Sequence, residues 1–377
     1  MSTKGLEGVV AAETSLSKVY GLEGRLIYRG YEIEDLAANT SFEEVCHLLW
    51  YGELPTRAQL DELKGRFVEE AKLPGEVLDL VRRMPQSAHP MSVLRTAVSA
   101  LGCYDPEAED MAREANLRKA IRITARMLTL TGTMIRLRDG GEPLEPRADL
   151  SLAANLLYLI RGKEPDALTE RAMDAALILH AEHGMNASTF SARVTIATFS
   201  DIYSAVTSAI GTLKGPLHGG ANEGVMRMLQ EIGDPAVAAD WVRKALDEKR
   251  RIMGFGHRVY KTLDPRAPIL RSLAEQLAQQ GGDTRWLDIA AVVQQTMAEE
   301  MERRQKQIYP NVDFYSAPLY FTMGIPTNFF TNIFACARTP GWTAHIIEQL
   351  DDNRLIRPSS DYVGPHGRKV VPIDQRG

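Results

Sequence analysis

From about residue 30 onward the chain never leaves helical periodicity: apolar residues recur three and four positions apart in one segment after another, and strand-like alternation of any length is absent. A chain patterned this way must bury helix against helix, which sets an all-α fold class. The preceding segment, rich in Gly and Val, reads as short extended pieces and turns. Ser41, with Glu44 three positions on, forms a capping box that opens SFEEVCHLLWYGELP. Thr56 opens the next helix, RAQLDELKGRFVEEAKL, which Pro74 should stop. Further helices are expected over 90–101, 110–134, 148–161, 166–181, 187–213, 221–231, 235–249, 266–280, 285–307 and 327–350.

A length of 377 residues sets a prior of two to three units, or one large domain with a smaller one attached. No repeat and no low-complexity linker marks a boundary. The best candidates are the Gly-dense GTLKGPLHGGANEG between Gly211 and Gly224 and the Pro-containing segment from Pro310 to Pro326. Such clusters absorb backbone change, so the block between them is a candidate for a mobile smaller domain.

A net charge of −5 gives no long-range pull toward nucleic acid or an anionic membrane, and neither partner is expected. The N-terminus carries no apolar core long enough for a signal peptide. Phe314 to Ala337 holds no charge, but Pro318, Gly324, Pro326 and several Ser, Thr and Asn residues make it a buried soluble core rather than a membrane span. Cys46, Cys103 and Cys336 are too far apart for a disulfide framework or a zinc ribbon, and a reducing cytoplasm is the expected location.

Eight histidines are the first place to look for acid–base chemistry. His47, His89, His345 and His366 call for nothing beyond structural or solvent-exposed roles. His180 and His183 lie at i, i+3 and should share a helical face. With no third ligand and no H-E-x-x-H pattern, no metal is expected there. His218 in KGPLHGGANEGV precedes a helical run, where the positive end of the helix dipole favours neutral imidazole able to donate to a carbonyl. His257 follows Gly254 and Gly256 in a stretch from Lys249 to Arg271 that carries seven basic residues against one acid, Asp264; a phosphate or carboxylate site is at least as good a reading as a solvated face. Asp313 is the only charge between Lys306 and Arg338; an acid in such surroundings is either paired or functional, and its raised proton affinity suits a base. No G-x-S-x-G elbow, phosphate loop or EF-hand is present. Two histidines, one aspartate and an arginine-rich loop suit enolisation of a carbon acid next to a carbonyl, on anionic substrates.

The segments GPLHGGANE, GFGHRVYKTLDPR and PNVDFYS, in this order and spacing, resemble the three active-site segments of the citrate synthase family. The opening GLEGVVAAETSLSKVYGLEGRLIYRGYEIEDLA is similar to that family's N-terminus, so the likeness spans essentially the whole chain. The resemblance implies a large helical domain (1–219 and 325–377) and a smaller mobile helical domain (220–324) in an obligate homodimer. It also implies a tricarboxylic acid cycle reaction: condensation of acetyl-CoA with oxaloacetate, then hydrolysis of citryl-CoA. No cofactor is implied, acetyl-CoA being a substrate.

Carried over position by position, the resemblance makes Asp313 the base that deprotonates the acetyl methyl group. His218 becomes the donor to the thioester oxygen, and His257 the group that polarises the oxaloacetate ketone and protonates the new alkoxide. Arg266, Arg338 and Arg357 would hold the oxaloacetate carboxylates, Arg357 from the partner subunit, with His183 and Asn186 as further contacts. Arg258, Lys261 and Arg271 are the candidates for the CoA phosphates. The chain begins almost directly with the family's start motif and looks like the short dimeric form, so regulation by NADH is not expected. Two other readings remain open: 2-methylcitrate synthase, which takes propionyl-CoA and differs by one methylene, and a non-catalytic helical scaffold, disfavoured because all three catalytic positions hold the required residue types.

Overall fold

Caps written into the sequence start most of the helices. The computed structural model describes residues 4–6 and 8–376, and among them forms sixteen α-helices and one small sheet. The expected capping box closes, Ser41 and Glu44 capping the helix Phe42–Tyr51, and a second, unanticipated box, Thr56 with Gln59, caps Arg57–Glu70. Asp166, Asn186 and Asp201 each accept backbone N–H groups at the start of Ala167–His180, Ala187–Ile196 and Ile202–Leu213. Near the N-terminus, β1 (Ser17–Tyr20), β2 (Arg25–Tyr28) and β3 (Tyr31–Glu32) pair antiparallel in that order, with Ser17 opposite Tyr28 and Ile27 opposite Glu32.

Several boundaries differ from the sequence reading. The run expected over 187–213 is two helices, because Phe199 adopts φ 60° and Asp201 caps a new start. Both helices bury one apolar face, so the period carries across the break. The helix opened by Thr56 ends at Glu70, before Pro74, which instead precedes an unanticipated helix, Gly75–Arg82. The Pro310–Pro326 segment, a candidate boundary without an expected helix, contains the helix Val312–Thr322, with Pro318 inside it.

The helix Phe330–Asp351 is buried on nearly all sides, as expected of a helix without a polar face. It packs against Phe42–Tyr51, Arg113–Arg138, Ala167–His180, Ala187–Ile196 and Ile202–Leu213. Trp50 Nε1 donates to Thr343 Oγ1 at 2.9 Å, fixing it to the first of these. The charge-free stretch 314–337 is divided between this helix and Val312–Thr322 and is mostly buried. No helix among the described residues is long and apolar enough to cross a membrane. A second group of helices, Ala221–Ile232, Pro235–Asp247, Arg266–Gly281, Arg285–Arg303 and Val312–Thr322, packs chiefly on itself. It meets the first group where Arg266–Gly281 lies against Ala167–His180 and Ala221–Ile232 against Phe330–Asp351. The functional motifs lie along this junction.

Candidate active site

Two motifs far apart in the chain are sewn together by backbone. Gly256 N–H donates to Tyr309 O at 2.8 Å, Asn311 N–H to Gly254 O at 2.9 Å, and Asn311 Nδ2 to Gly256 O at 2.9 Å. This brings the His257 loop alongside the start of the Asp313 helix. Asp264 adds a second tie. Its carboxylate forks onto Arg266 (Nε 2.9 Å, Nη2 2.7 Å) and also accepts Val312 N–H at 3.2 Å. Asp264 and Arg266 are both buried, and the pairing holds the acid below the ordinary carboxylate range against the opposing effect of burial.

Hydrogen bonding selects the tautomers of His257 and His218. His257 Nδ1 accepts the backbone N–H groups of Val259 (3.0 Å) and Tyr260 (3.1 Å), so the neutral ring carries its proton on Nε2. His218 Nε2 accepts Ser188 N–H at 3.3 Å and lies 2.8 Å from Ser188 Oγ, so its proton is on Nδ1. The Ser188 hydroxyl is in turn held by Trp342 Nε1 at 3.1 Å. Burial lowers both imidazoles to about 4, helped by Arg338 at His218 and by Arg266 at His257, so both are neutral at pH 7. At His218 the neutral form expected from the helix dipole is favoured by desolvation first and by Arg338 second. The following glycine is demanded by close packing, since a Cβ on Gly219 would stand 2.4 Å from the carbonyl oxygen of Leu213.

His183 lies beyond the end of Ala167–His180, so the expected shared helical face with His180 does not form. Its ring sits 5.3 Å from that of His257 and 5.6 Å from that of Tyr260. His183 Nε2 is buried without a hydrogen-bond partner, and desolvation with Arg266 nearby holds the ring well below its ordinary pKa. Arg338 is 1% exposed. It donates through Nε to His180 O at 2.5 Å, and its guanidinium lies 4.8 Å from the Phe334 ring centroid. Among the described residues no carboxylate forms an ion pair with it. Burial brings it down to about 10, still charged at pH 7. A buried cation without a paired anion is costly unless an anion binds there.

Asp313 stands in the first turn of Val312–Thr322, its N–H held by Asn311 Oδ1 at 3.0 Å. Its carboxylate is partly open and accepts no hydrogen bond from the described residues. Burial pushes it up to about 6; Arg266 and Arg338 oppose the rise and Asp264 adds to it.

The remaining expected residues divide. Asn186 is engaged as a helix cap: Oδ1 accepts from Ser188 N–H (3.2 Å) and Thr189 N–H (3.1 Å) and lies 2.8 Å from Ser188 Oγ, and Nδ2 donates to Thr189 Oγ1 (2.9 Å). Arg258 and Lys261 are exposed beside His257, and Lys261 and His257 share the lining of a cavity of 260 Å³ with Tyr260 and Tyr309. Arg271 is paired with Glu275 at 2.7 Å. Arg357 stands exposed on the irregular segment after Asp351, outside the buried cluster. Sequence reading passed over Tyr260, Ser188, Trp342 and Glu182. Asp264 had a signal, as the single acid in the basic stretch; Ser188 and Trp342 meet across 154 residues and had none. No group of three or more His, Cys, Asp or Glu among the described residues is placed to hold a metal ion.

Neutral hydrogen-bond donors, a carboxylate of raised pKa and buried arginines in an all-helical frame suit an acyltransferase that works through an enol or enolate. The profile described as "Citrate synthase, C-terminal domain" matches residues 5–359, and the chain belongs to the citrate synthase family. It is 49% identical over 376 residues to "Citrate synthase 2" of Bacillus subtilis, covering 100% of this chain and 99% of that one. It is 46% identical to "2-methylcitrate synthase 1" of Corynebacterium glutamicum, covering 99% and 98%. A solved ternary complex of citrate synthase from Thermoplasma acidophilum with carboxymethyl coenzyme A and oxaloacetate superposes with a TM-score of 0.94 at 35% identity, with full coverage of both chains. The reaction is the condensation of acetyl-CoA with oxaloacetate to citrate and free CoA.

Proposed function

We propose that oxaloacetate binds among His183, Arg266, Arg338 and His257, with acetyl-CoA entering so that its methyl group faces Asp313 and its thioester oxygen faces His218. The observation that carries this reading is Arg338, a buried guanidinium left without a carboxylate near neutral His183, whose ring meets that of His257 edge to face. His257, its proton held on Nε2, donates to the ketone oxygen and polarises the carbon to be attacked. Asp313 takes a methyl proton, and His218 Nδ1–H stabilises charge on the thioester oxygen as the enol or enolate forms. The new carbon–carbon bond leaves an alkoxide that His257 protonates, and water then cleaves the citryl thioester. None of these steps calls for a metal or a cofactor.

Segment 220–324 is the smaller domain in this reading, closing on the larger one formed by 1–219 and 325–377. Arg357 serves the partner's site in a homodimer, which fits its exposure here. Asn186 acts by capping the helix that carries Ser188. Arg258 and Lys261 are free to meet CoA phosphates, whereas Arg271 has first to leave Glu275. The enzyme is assigned to the cytoplasm. Propionyl-CoA is the alternative acyl donor, supported by the 2-methylcitrate synthase relative. Release of free thiol from each acyl-CoA in the presence of oxaloacetate tests the assignment: acetyl-CoA is expected to give the higher kcat/KM, and preference for propionyl-CoA would reverse it.

A further inference from the structure

A buried polar chain runs from the candidate oxaloacetate pocket to the end of the helix Phe330–Asp351, and none of the catalytic steps above uses it. Glu182, fully buried beside His183, gathers three donors on Oε1: Gly184 N–H at 2.5 Å, Ser17 Oγ at 2.9 Å and His345 Nε2 at 3.0 Å. The first of these spans the turn whose middle residue is His183, and Gly184 in that turn adopts φ 60°. His345, also fully buried, accepts Arg193 Nη1 on Nδ1 at 2.8 Å, which leaves Nε2 as the donor to Glu182. Arg193 is itself fixed by Glu348 at 2.8 Å and Gln349 at 3.0 Å.

Arg338, Gly341 and His345 lie at i, i+3 and i+7, on one face of a single helix. At Gly341 that helix presses directly on the turn, since a Cβ there would stand 2.2 Å from Ala181 O and 2.5 Å from Glu182 Oε2. One rigid face therefore presents a substrate-facing arginine and, two turns on, the imidazole that holds the neighbouring turn.

We propose that His345 is a positioning residue for oxaloacetate: through Glu182 it holds the 182–184 turn so that His183 Nε2 faces the substrate, keeping His183 in fixed register with Arg338. The inference rests on His183 being an oxaloacetate contact. It assigns His345 a role in affinity for the keto acid and none in the acyl-CoA half of the site.

The test is steady-state kinetics of His345→Leu and His345→Gln. Leu severs both hydrogen bonds; the Gln amide accepts from Arg193 and donates to Glu182. The Leu chain is expected to show KM for oxaloacetate raised at least ~10-fold, with kcat and KM for acetyl-CoA within ~3-fold of wild type, and Gln to recover most of the loss. Should the Leu chain not fold, His345→Asn, one methylene too short to span both partners, replaces it with the same expectation. An unchanged KM for oxaloacetate, equal behaviour of Gln and Leu, or an equal rise in both KM values would overturn the proposal. His183→Ala, measured alongside, separates the two layers. If it leaves KM for oxaloacetate unaltered, the site reading itself fails; if it raises that KM while the His345 variants do not, only the positioning role fails.

Discussion

Ser188 turns both its backbone N–H and its hydroxyl toward Nε2 of His218, at 3.3 and 2.8 Å, and this one neighbour decides that Nδ1 carries the ring proton. The hydroxyl is shared with Trp342 Nε1, so the imidazole, the serine and the indole form one buried unit. Removing the hydroxyl in Ser188→Ala leaves the N–H contact but strands the indole donor. Loss of about one buried hydrogen bond, ~1–1.5 kcal/mol, predicts a kcat reduced about tenfold with KM for oxaloacetate little changed. Stopped assays at saturating substrates check this, and a variant with wild-type kcat would show that the N–H alone orients the ring.

Asp264 and Arg266 form a buried fork that also holds the N–H of Val312. Asp264→Asn keeps the shape but leaves the guanidinium without its counter-charge. Breaking a buried pair from one side predicts destabilisation of ~3–5 kcal/mol, read as a lower urea midpoint at unchanged slope. A shift of under ~1 kcal/mol would mean that water or a neighbouring group replaces the lost charge.

The parts of this structure legible in the sequence are those whose signals are local. Ser41 with Glu44, and Asp166 and Asn186 ahead of apolar runs, mark helix starts because a cap needs only its next three residues. The break at Phe199 was hidden because apolar spacing continues across it, and the helix Val312–Thr322 was hidden because a proline inside it, Pro318, ordinarily ends a helix. At the site, His218, His257 and Asp313 announced themselves through odd surroundings. Ser188, Trp342, Glu182 and His345 did not, since each acts through a partner more than 150 residues away or through a side chain that is itself unremarkable in sequence.

The proposed base role of Asp313 requires it to be ionised, and burial has pushed it up to about 6, while His218 and His257 stay neutral down to about 4. The account predicts kcat/KM falling about tenfold per unit below pH 6 and level above pH 7. The stability consequence has the opposite sign to that of a paired acid. A folded pKa above the unfolded value costs stability increasingly as pH rises from about 4 to 6, and by a constant amount above that. Asp313→Asn is therefore expected to raise unfolding free energy by ~1–3 kcal/mol at pH 7.5 and hardly at all at pH 3.5. Denaturant titrations at the two pH values settle it, and an equal effect at both would rule out desolvation as the cause.

Arg357 is exposed on the segment after Asp351, whereas Arg266 and Arg338 are buried. If it completes the partner's site, chains carrying Arg357→Ala and chains carrying Asp313→Asn, each weakly active alone, should regain activity on mixing and exchange, because one of the two sites in a heterodimer is whole. Up to half of wild-type activity per heterodimer is the ceiling on simple site counting. No gain despite demonstrated exchange would place Arg357 in its own subunit's site.

In the proposed reaction a partly open, desolvated Asp313 removes the proton that makes the acyl methyl group a nucleophile. Free CoA released from acetyl-CoA and oxaloacetate, measured for wild type and Asp313→Asn under identical conditions with circular dichroism to confirm an unchanged fold, tests it most directly. A loss of at least ~10²-fold in kcat with a folded variant is the predicted result; CoA release near the wild-type rate would contradict the account.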